Sequence, residues 1–411
     1  MSAALAINGG PRVRERSFPV WPVWDQADEE ALLQVLRSGH WGRGDGHRVR
    51  AFEEAFAAYQ DAGYGVACNS GTAALRIALL AAGLRAGDEV IVPPYTFVAT
   101  ATAVVEANCV PVFADIQPDT YNIDPEAIER SITPRTRAII PVHFAGQAAE
   151  MERILQIARR RGLVVIEDAA HAHGAAYQGR KLGSIGDMGC FSFQSSKNLT
   201  AGEGGMIITN ATNYERLCRS VHNCGRLPAG AWYEHHIVGG NYRMTEFQGA
   251  LLLAQLGRLE AQSAIREANG RYLNDRLAEI PGIRPLTRGH GETRHSYHLY
   301  IFRYDADAFD GVPRDRFLQA LEAEGIPCSG GYPIGLHLQP VFANKSFGSF
   351  DGAVGARPGS ALDPAAFPVC ARACREACWL SQSLLLGTRA DMDDVISAVA
   401  KVRQYRGELK A

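Results

Sequence analysis

The sequence predicts an α/β protein: a large domain with a mainly parallel central sheet flanked by helices, followed by a smaller C-terminal α/β domain. Three observations predict it. Short, near-continuous apolar runs recur between residues 66 and 209, and such runs suit strands buried on both faces of a sheet. Helical patterns with readable ends lie between the early runs, and strand–helix alternation produces parallel sheets with helices on both faces. Beyond Pro281 the texture changes to fewer strands and helices with long Gly/Pro-rich connections.

The elements follow in order. Residues 1–24 carry Pro11, Pro19 and Pro22 with Trp21 and Trp24, an apolar arm expected to pack on its own domain or on a partner subunit. Residues 25–258 form the large domain and 259–411 the small one. The strand runs are VAC (66–68), EVIVP (89–93), VPVFAD (110–115), AIIPVHF (138–144), LVVIED (163–168), CFSFQ (190–194) and GMIIT (205–209). A helix over 72–82 ends at Gly83, a C-cap candidate. Asp124 with Pro125 gives an N-cap followed by proline at the first helical position. A helix over 151–161 ends in three arginines and Gly162, where positive charge meets the helix C-terminus. A long helical pattern over 245–280 carries the chain out of the first domain. A strand over 295–304, a helix over 314–324, a loop over 325–340 and a helix over 391–405 complete the small domain. The biased stretch 348–364 reads as a surface loop.

Composition narrows the function. The chain has 411 residues, with 42 Lys plus Arg against 44 Asp plus Glu and a net charge of −2. That balance argues against a nucleic-acid binder that works by neutralising phosphates. Hydrophobic residues at 46% and charged residues at 21% describe a folded chain rather than a disordered one. Nine cysteines, odd in number and without a CxxC pair, read as reduced thiols of a cytoplasmic protein. Cys370, Cys374 and Cys378 are spaced four apart and would share one helical face; small apolar packing is the reading adopted, and no metal is expected. No stretch approaches the roughly 18 apolar residues of a membrane span. At the start of the chain, charge follows a short apolar piece, the wrong order for a signal peptide.

Three places could do chemistry. Asn69-Ser70-Gly71-Thr72 lies after a strand and before a helix. Gly71 would let a ligand approach the backbone, and the free N–H groups of the helix start with the Ser70 and Thr72 hydroxyls would form an anion site. Taken alone, an ordinary turn with a Ser/Thr helix cap is the better explanation. Asp168 leaves the most apolar run, at the sheet edge where ligands bind, and would hold a protonated ring nitrogen. Taken alone, it is also a helix cap. Lys197 follows Ser192-Phe193-Gln194-Ser195-Ser196 and precedes the flexible AGEGG (201–205). A lysine in such a pocket can lose its proton and attack a carbonyl. Together, an anion cradle, an aspartate and a lysine are what pyridoxal phosphate needs for its phosphate, ring nitrogen and aldehyde. Phe97, expected at a helix start, could stack on the ring. The spacing Gly42-x-Gly44-x-Gly46 follows no strand and is not a dinucleotide loop.

The motifs NSGTAAL (69–75), DEVIVPPYTFVATA (88–101), EDAAHAHGA (167–175), SFQSSKNLTAGEGG (192–205), GGNYRMTEFQGA (239–250) and the looser YPIGLHLQPVF (332–342) make the chain resemble the DegT/DnrJ/StrS sugar and cyclitol aminotransferases over nearly its whole length. The resemblance implies fold type I of the pyridoxal-phosphate-dependent transferases. It implies that Lys197 bonds the cofactor aldehyde, Asp168 pairs with the ring nitrogen, His171 lies beside the phenolic oxygen and Phe97 stacks on the ring. Ser70, Gly71, Thr72 and Ser192 would contact the phosphate, and Asn241 would reach the phosphate of a neighbouring subunit, so that a homodimer shares its sites. Lys197 stands where some dehydratases of the family have His, which favours transamination. His171 replaces a frequent Gln, and Gly331 stands before Tyr332 where nucleotide-sugar members often have His. Tyr332, His337 and Arg243 are candidate substrate residues, and His298 is either a core residue or a ligand.

The implied reaction moves an amino group from glutamine or glutamate to a keto-cyclitol or keto-sugar, in aminocyclitol or aminosugar biosynthesis. The opening LAINGGPRVR (5–14) and the loop SGHWGRGDGH (38–47) look more like the cyclitol and aminohydroxybenzoate-forming branch. The alternatives are a dehydratase or aromatising synthase with the same cofactor, a nucleotide-sugar aminotransferase, and a cofactor-binding regulator without turnover.

Overall fold

The computed structural model describes residues 3–227, 230–343 and 366–410. Seven strands form the central sheet: β1 (Tyr64–Cys68), β2 (Glu89–Val92), β3 (Val110–Phe113), β4 (Thr136–Ile139), β5 (Val164–Asp168), β8 (Met188–Ser192) and β9 (Gly205–Thr209). Their order is β1-β9-β8-β5-β4-β2-β3. Two short strands, β6 (Ala176–Tyr177) and β7 (Arg180–Lys181), pair with β11 (Glu292–Arg294). The small sheet has β10 (Ile283–Pro285), β12 (Leu299–Tyr304) and β13 (Ala377–Ser381), in the order β10-β12-β13.

The central sheet is parallel from β8 through β5, β4 and β2 to β3, and β9 runs antiparallel to both its neighbours. The reason lies in the connection. The chain between β8 and β9, residues 193–204, contains no helix, and a parallel return is usually made by a helical crossover. Lys197 stands on that short return.

Alternate residues of each strand enter opposite cores, as the two-residue period requires. Ile91, Ile139 and Val165 pack with Phe52, Phe56 and Ile154 on one face, while Val90, Ile140 and Ile166 pack with Ile77, Leu79 and Val104 on the other. A third core gathers Leu273, Phe302, Phe317, Leu380 and Val399 around the small sheet. A fourth, with Tyr95, Tyr121, Phe144 and Ile301, joins the two sheets. The boundary expected after residue 258 falls inside one continuous helix, Glu246–Leu277.

The expected helix ends have their physical counterparts. Asp124 accepts hydrogen bonds from the N–H groups of Glu126 and Ala127 (3.0 and 3.2 Å), and Gly162 closes the helix Met151–Arg161 in the left-handed conformation. The arm packs on its own chain. Glu408 accepts from the N–H groups of Ala4 and Leu5, and buried Arg14 pairs with Asp391 (2.7 Å) and Asp394 (2.6 Å). Further on, the Trp21 indole donates to the Ser195 carbonyl (2.9 Å).

Three expectations need correction. The strand over 295–304 begins only at Leu299. Residues 295–298 are drawn out of the ladder because Ser296 bonds the carbonyls of Gly146 and His171, and Tyr297 takes a positive φ of 48°. The three cysteines do not share a helix: Cys370 and Cys374 lie on the helix Pro368–Glu376, and Cys378 lies on β13. All nine cysteines are free. The helix after β2 starts at Ala99, so Phe97 stands before it. The stretch 348–364 lies outside the described residues. Among those residues, no group of three His, Cys, Asp or Glu is placed to hold a metal ion, and no helix is long and apolar enough to cross a membrane.

Candidate active site

A cavity of about 560 Å³ opens between the two sheets, over the C-terminal ends of β5 and β8. Ser70, Gly71, Thr72, Phe97, Asp168, His171, Ser192, Lys197 and Tyr332 all line it. Three candidates do not. Asn241 is exposed on a segment bridged to Asn223, and Arg243 donates to the Asn223 side chain (2.8 Å). His337 is buried behind Phe113 and Phe367.

The anion cradle is built by close packing. Ser70 caps the helix Gly71–Ala81 by accepting from the Ala73 N–H (3.1 Å), which leaves the earlier N–H groups of the first turn free for a ligand. A side chain at position 71 would stand 2.7 Å from the Ser192 Cβ. Glycine is therefore the residue that brings the helix start against the end of β8.

Asp168 ends β5. Its Oδ2 accepts from the Thr100 hydroxyl (2.8 Å), which stands 3.1 Å from the Thr96 hydroxyl, and its Oδ1 accepts from the Ala170 N–H (3.2 Å). Burial raises its pKa against the pull of Thr100, Ala170 and Lys197. Burial likewise pushes the Lys197 ammonium down to about 8, with Asp168 acting in the opposite direction.

Two imidazoles complete this side. His171 lies 4.2 Å from His298, ring centre to ring centre. Burial first, then the charge of Lys197, holds the pKa of His171 well below the usual range. The Ala145 N–H donates to its Nδ1 (3.2 Å), so the neutral ring carries its proton on Nε2. His298 is the reverse case. Asn198 donates through its amide nitrogen to the Ser296 carbonyl (2.8 Å) and offers its oxygen to His298 Nδ1 (3.2 Å). His298 thus carries its proton on Nδ1, and burial with the neighbouring His171 keeps it neutral.

Sequence reasoning missed Thr96, Thr100, Gln194, Ser196, Glu203 and Trp379, all of which line the cavity. Thr100 had one signal: it falls one helical turn after Thr96, behind a strand end. Trp379 had none near the other motifs.

A lysine, a buried carboxylate and a helix-start anion site, gathered at strand ends of such a sheet, define the fold type I pyridoxal-phosphate-dependent transferases. The solved structures agree. The synthase of 3-amino-5-hydroxybenzoic acid superposes with a TM-score of 0.86 at 32% identity, covering 94% of this chain and 98% of its own. NtdA of Bacillus subtilis, solved with bound cofactor PMP, gives a TM-score of 0.80 at 28% identity, covering 96% of this chain and 87% of its own. This chain belongs to the DegT/DnrJ/EryC1/StrS aminotransferase family, whose model matches residues 22–400. The L-glutamine:2-deoxy-scyllo-inosose aminotransferase of Streptoalloteichus tenebrarius is 42% identical over 428 residues, covering 100% of both chains.

Proposed function

We propose that this aminotransferase uses pyridoxal phosphate to move the amino group of glutamine to the ketone of a polyhydroxylated six-membered ring, a keto-cyclitol. The observation that carries the reading is the convergence of Lys197, Asp168 and the 70–72 helix start in one cavity. The inosose aminotransferase relative supports the donor and the acceptor.

The residues fit the cofactor. Buried Asp168 has a hydroxyl and an amide as partners but no bonded cation, and a protonated ring nitrogen would supply the charge its carboxylate lacks. The glycine cradle suits a phosphate. Bound there, the cofactor supplies an aldehyde for the amino group and a cationic ring that absorbs the electrons released at the donor's α-carbon. Lys197, neutral above about pH 8, takes the proton from that carbon and returns it. Asp168 would keep the ring nitrogen charged, and His171, with its proton on Nε2, would hold the ring's phenolic oxygen.

The dimer belongs to the same reading. Asn241 and Arg243 lie outside their own cavity, on a segment that follows exposed Trp232, Tyr233 and Val238 in the chain, and Phe97 is 59% exposed at the rim. A second copy would cover these side chains and bring Asn241 to the neighbouring phosphate. Free cysteines throughout support a cytoplasmic location.

The test is the visible spectrum of the cofactor-loaded protein with glutamine, with glutamate, and with Lys197→Ala. The expected result is that glutamine bleaches the cofactor band and that Lys197→Ala loses the response. A band indifferent to every amino donor would sink the reading. The likeness to 3-amino-5-hydroxybenzoic acid synthase keeps one rival, a dehydrating synthase, which would form product without consuming an amino donor.

A further inference from the structure

We propose that Trp379, seated in the space that glycine at 331 leaves open, sets the size of the acceptor: the site takes a single polyhydroxylated ring and turns away a ketone whose ring carries a second ring. The proposal rests on the aminotransferase reading and extends it to one pair of side chains.

The pair is geometrically exclusive. Gly331 has a φ of +68°, and a Cβ built on it would stand 2.3, 2.5 and 2.6 Å from Cε2, Cζ2 and Nε1 of the Trp379 indole. Real Cβ atoms do not approach other heavy atoms so closely. A side chain at 331 and the indole as it lies cannot coexist.

The indole has no easy retreat. Its backbone is held between two segments: Trp379 sits opposite Ile301 in the β12–β13 ladder, and it exchanges hydrogen bonds with Ser329 (2.8 and 3.0 Å). Its ring meets Tyr332 edge to face at 4.9 Å, Phe144 at 5.7 Å and Tyr95 at 6.4 Å. Such contacts order aromatic rings.

Trp379 and Tyr332 line the cavity from the small-sheet side, whereas Lys197, Asp168 and the helix start line it from the central sheet. A ketone held beside Lys197, where the proton is moved, would share the cavity with the indole. A bare polyol ring offers that wall its C–H face and keeps its hydroxyls for His298 and the other polar groups. A second ring on it would need the volume the indole occupies.

The experiment measures kcat/KM for two acceptors, an unsubstituted polyhydroxycyclohexanone and the same ring bearing a glycosyl group, and reads their ratio. A general loss of activity cancels in that ratio. Trp379→Ala is expected to shift it about 10-fold or more toward the glycosylated ketone. Gly331→Ala is expected to lower kcat/KM for the unsubstituted ring about 100-fold, by driving the indole into the cavity. The double variant is expected to recover most of the loss seen in Gly331→Ala, because the added methyl then enters vacated space and only the backbone strain at a φ of +68° remains. Trp379→Phe, a smaller step in size, should give an intermediate ratio and stands in if Gly331→Ala fails to fold. Calorimetric binding of the amino-polyol product to each protein gives a readout independent of turnover. An unchanged acceptor ratio in both Trp379 variants overturns the proposal, as does an additive double variant. If the unsubstituted protein shows no spectral response to glutamine, the aminotransferase reading has failed instead.

Discussion

At the residue scale the decisive quantity is the charge on Lys197. Only a neutral amine attacks an aldehyde, and burial brings the ammonium down to about 8 from the usual lysine range. Capture of pyridoxal phosphate by the cofactor-free protein should therefore rise with pH, with a midpoint near 8. Below that pH the amine is protonated and capture slows; a surface lysine would show its midpoint near 10. Asp168 raises the Lys197 pKa through its negative charge, so Asp168→Asn should move the midpoint down. Absorbance-monitored capture across pH 6–10 checks both, and a midpoint near 10 would show that the lysine is not desolvated. The flanking histidines add no competing charge, because burial keeps His171, His173 and His298 neutral at these pH values.

At the scale of elements, β5 presents two carboxylates to opposite faces. Asp168 faces the cavity; Glu167, one residue earlier, faces away. Glu167 is fully buried, 2.7 Å from His143 Nε2, and accepts from the N–H groups of Gly183, Ile185 and Gly186 (2.7, 2.8 and 2.6 Å). Burial raises its pKa, but the His143 bond and these amides outweigh it and hold the carboxyl below its usual value. Glu167→Gln should cost about 3 kcal/mol or more by urea unfolding, because it breaks a buried charged network. A lowered folded pKa contributes stability above the normal carboxylate range and loses it as pH falls through the folded value. The difference between the two proteins should accordingly shrink below about pH 4. This strand was legible in the sequence because its signals are local: an apolar run, then acid, then a turn. The lysine block and the 69–72 turn were legible for the same reason. Thr100 and Trp379 were not, since ordinary residue types reach the site only through tertiary packing. His337 misled because its loop passes the site while its ring turns into the core. The alternation in 295–304 imitates a longer strand, and the bonds of Ser296 that break it span more than a hundred residues.

At the scale of the whole molecule, the N-terminal arm holds distant parts together. It begins against Glu408, passes Arg14 between Asp391 and Asp394, and ends with Trp21 on the lysine return. Arg14→Ala would leave Asp391 and Asp394 with only the exposed Arg16, 3.3 Å from each, and should cost about 1–3 kcal/mol in urea unfolding. Thr388 and Arg14, working against burial, hold the Asp391 carboxyl down to about 2. That contribution is present above the usual carboxylate range and should fade as pH falls toward 2. The same variant should speed amide hydrogen exchange in residues 194–198, since the arm's far end rests there. Unchanged exchange would mean that Trp21 alone anchors it. The Trp21 bond sets the arm's far end on the Ser195 carbonyl, two residues from Lys197, without crossing any strand of the central sheet. The helix that carries Asp391 and the segment that carries the reactive lysine are thereby tied to one strap, so a change in the packing of either is felt along a path separate from the sheet.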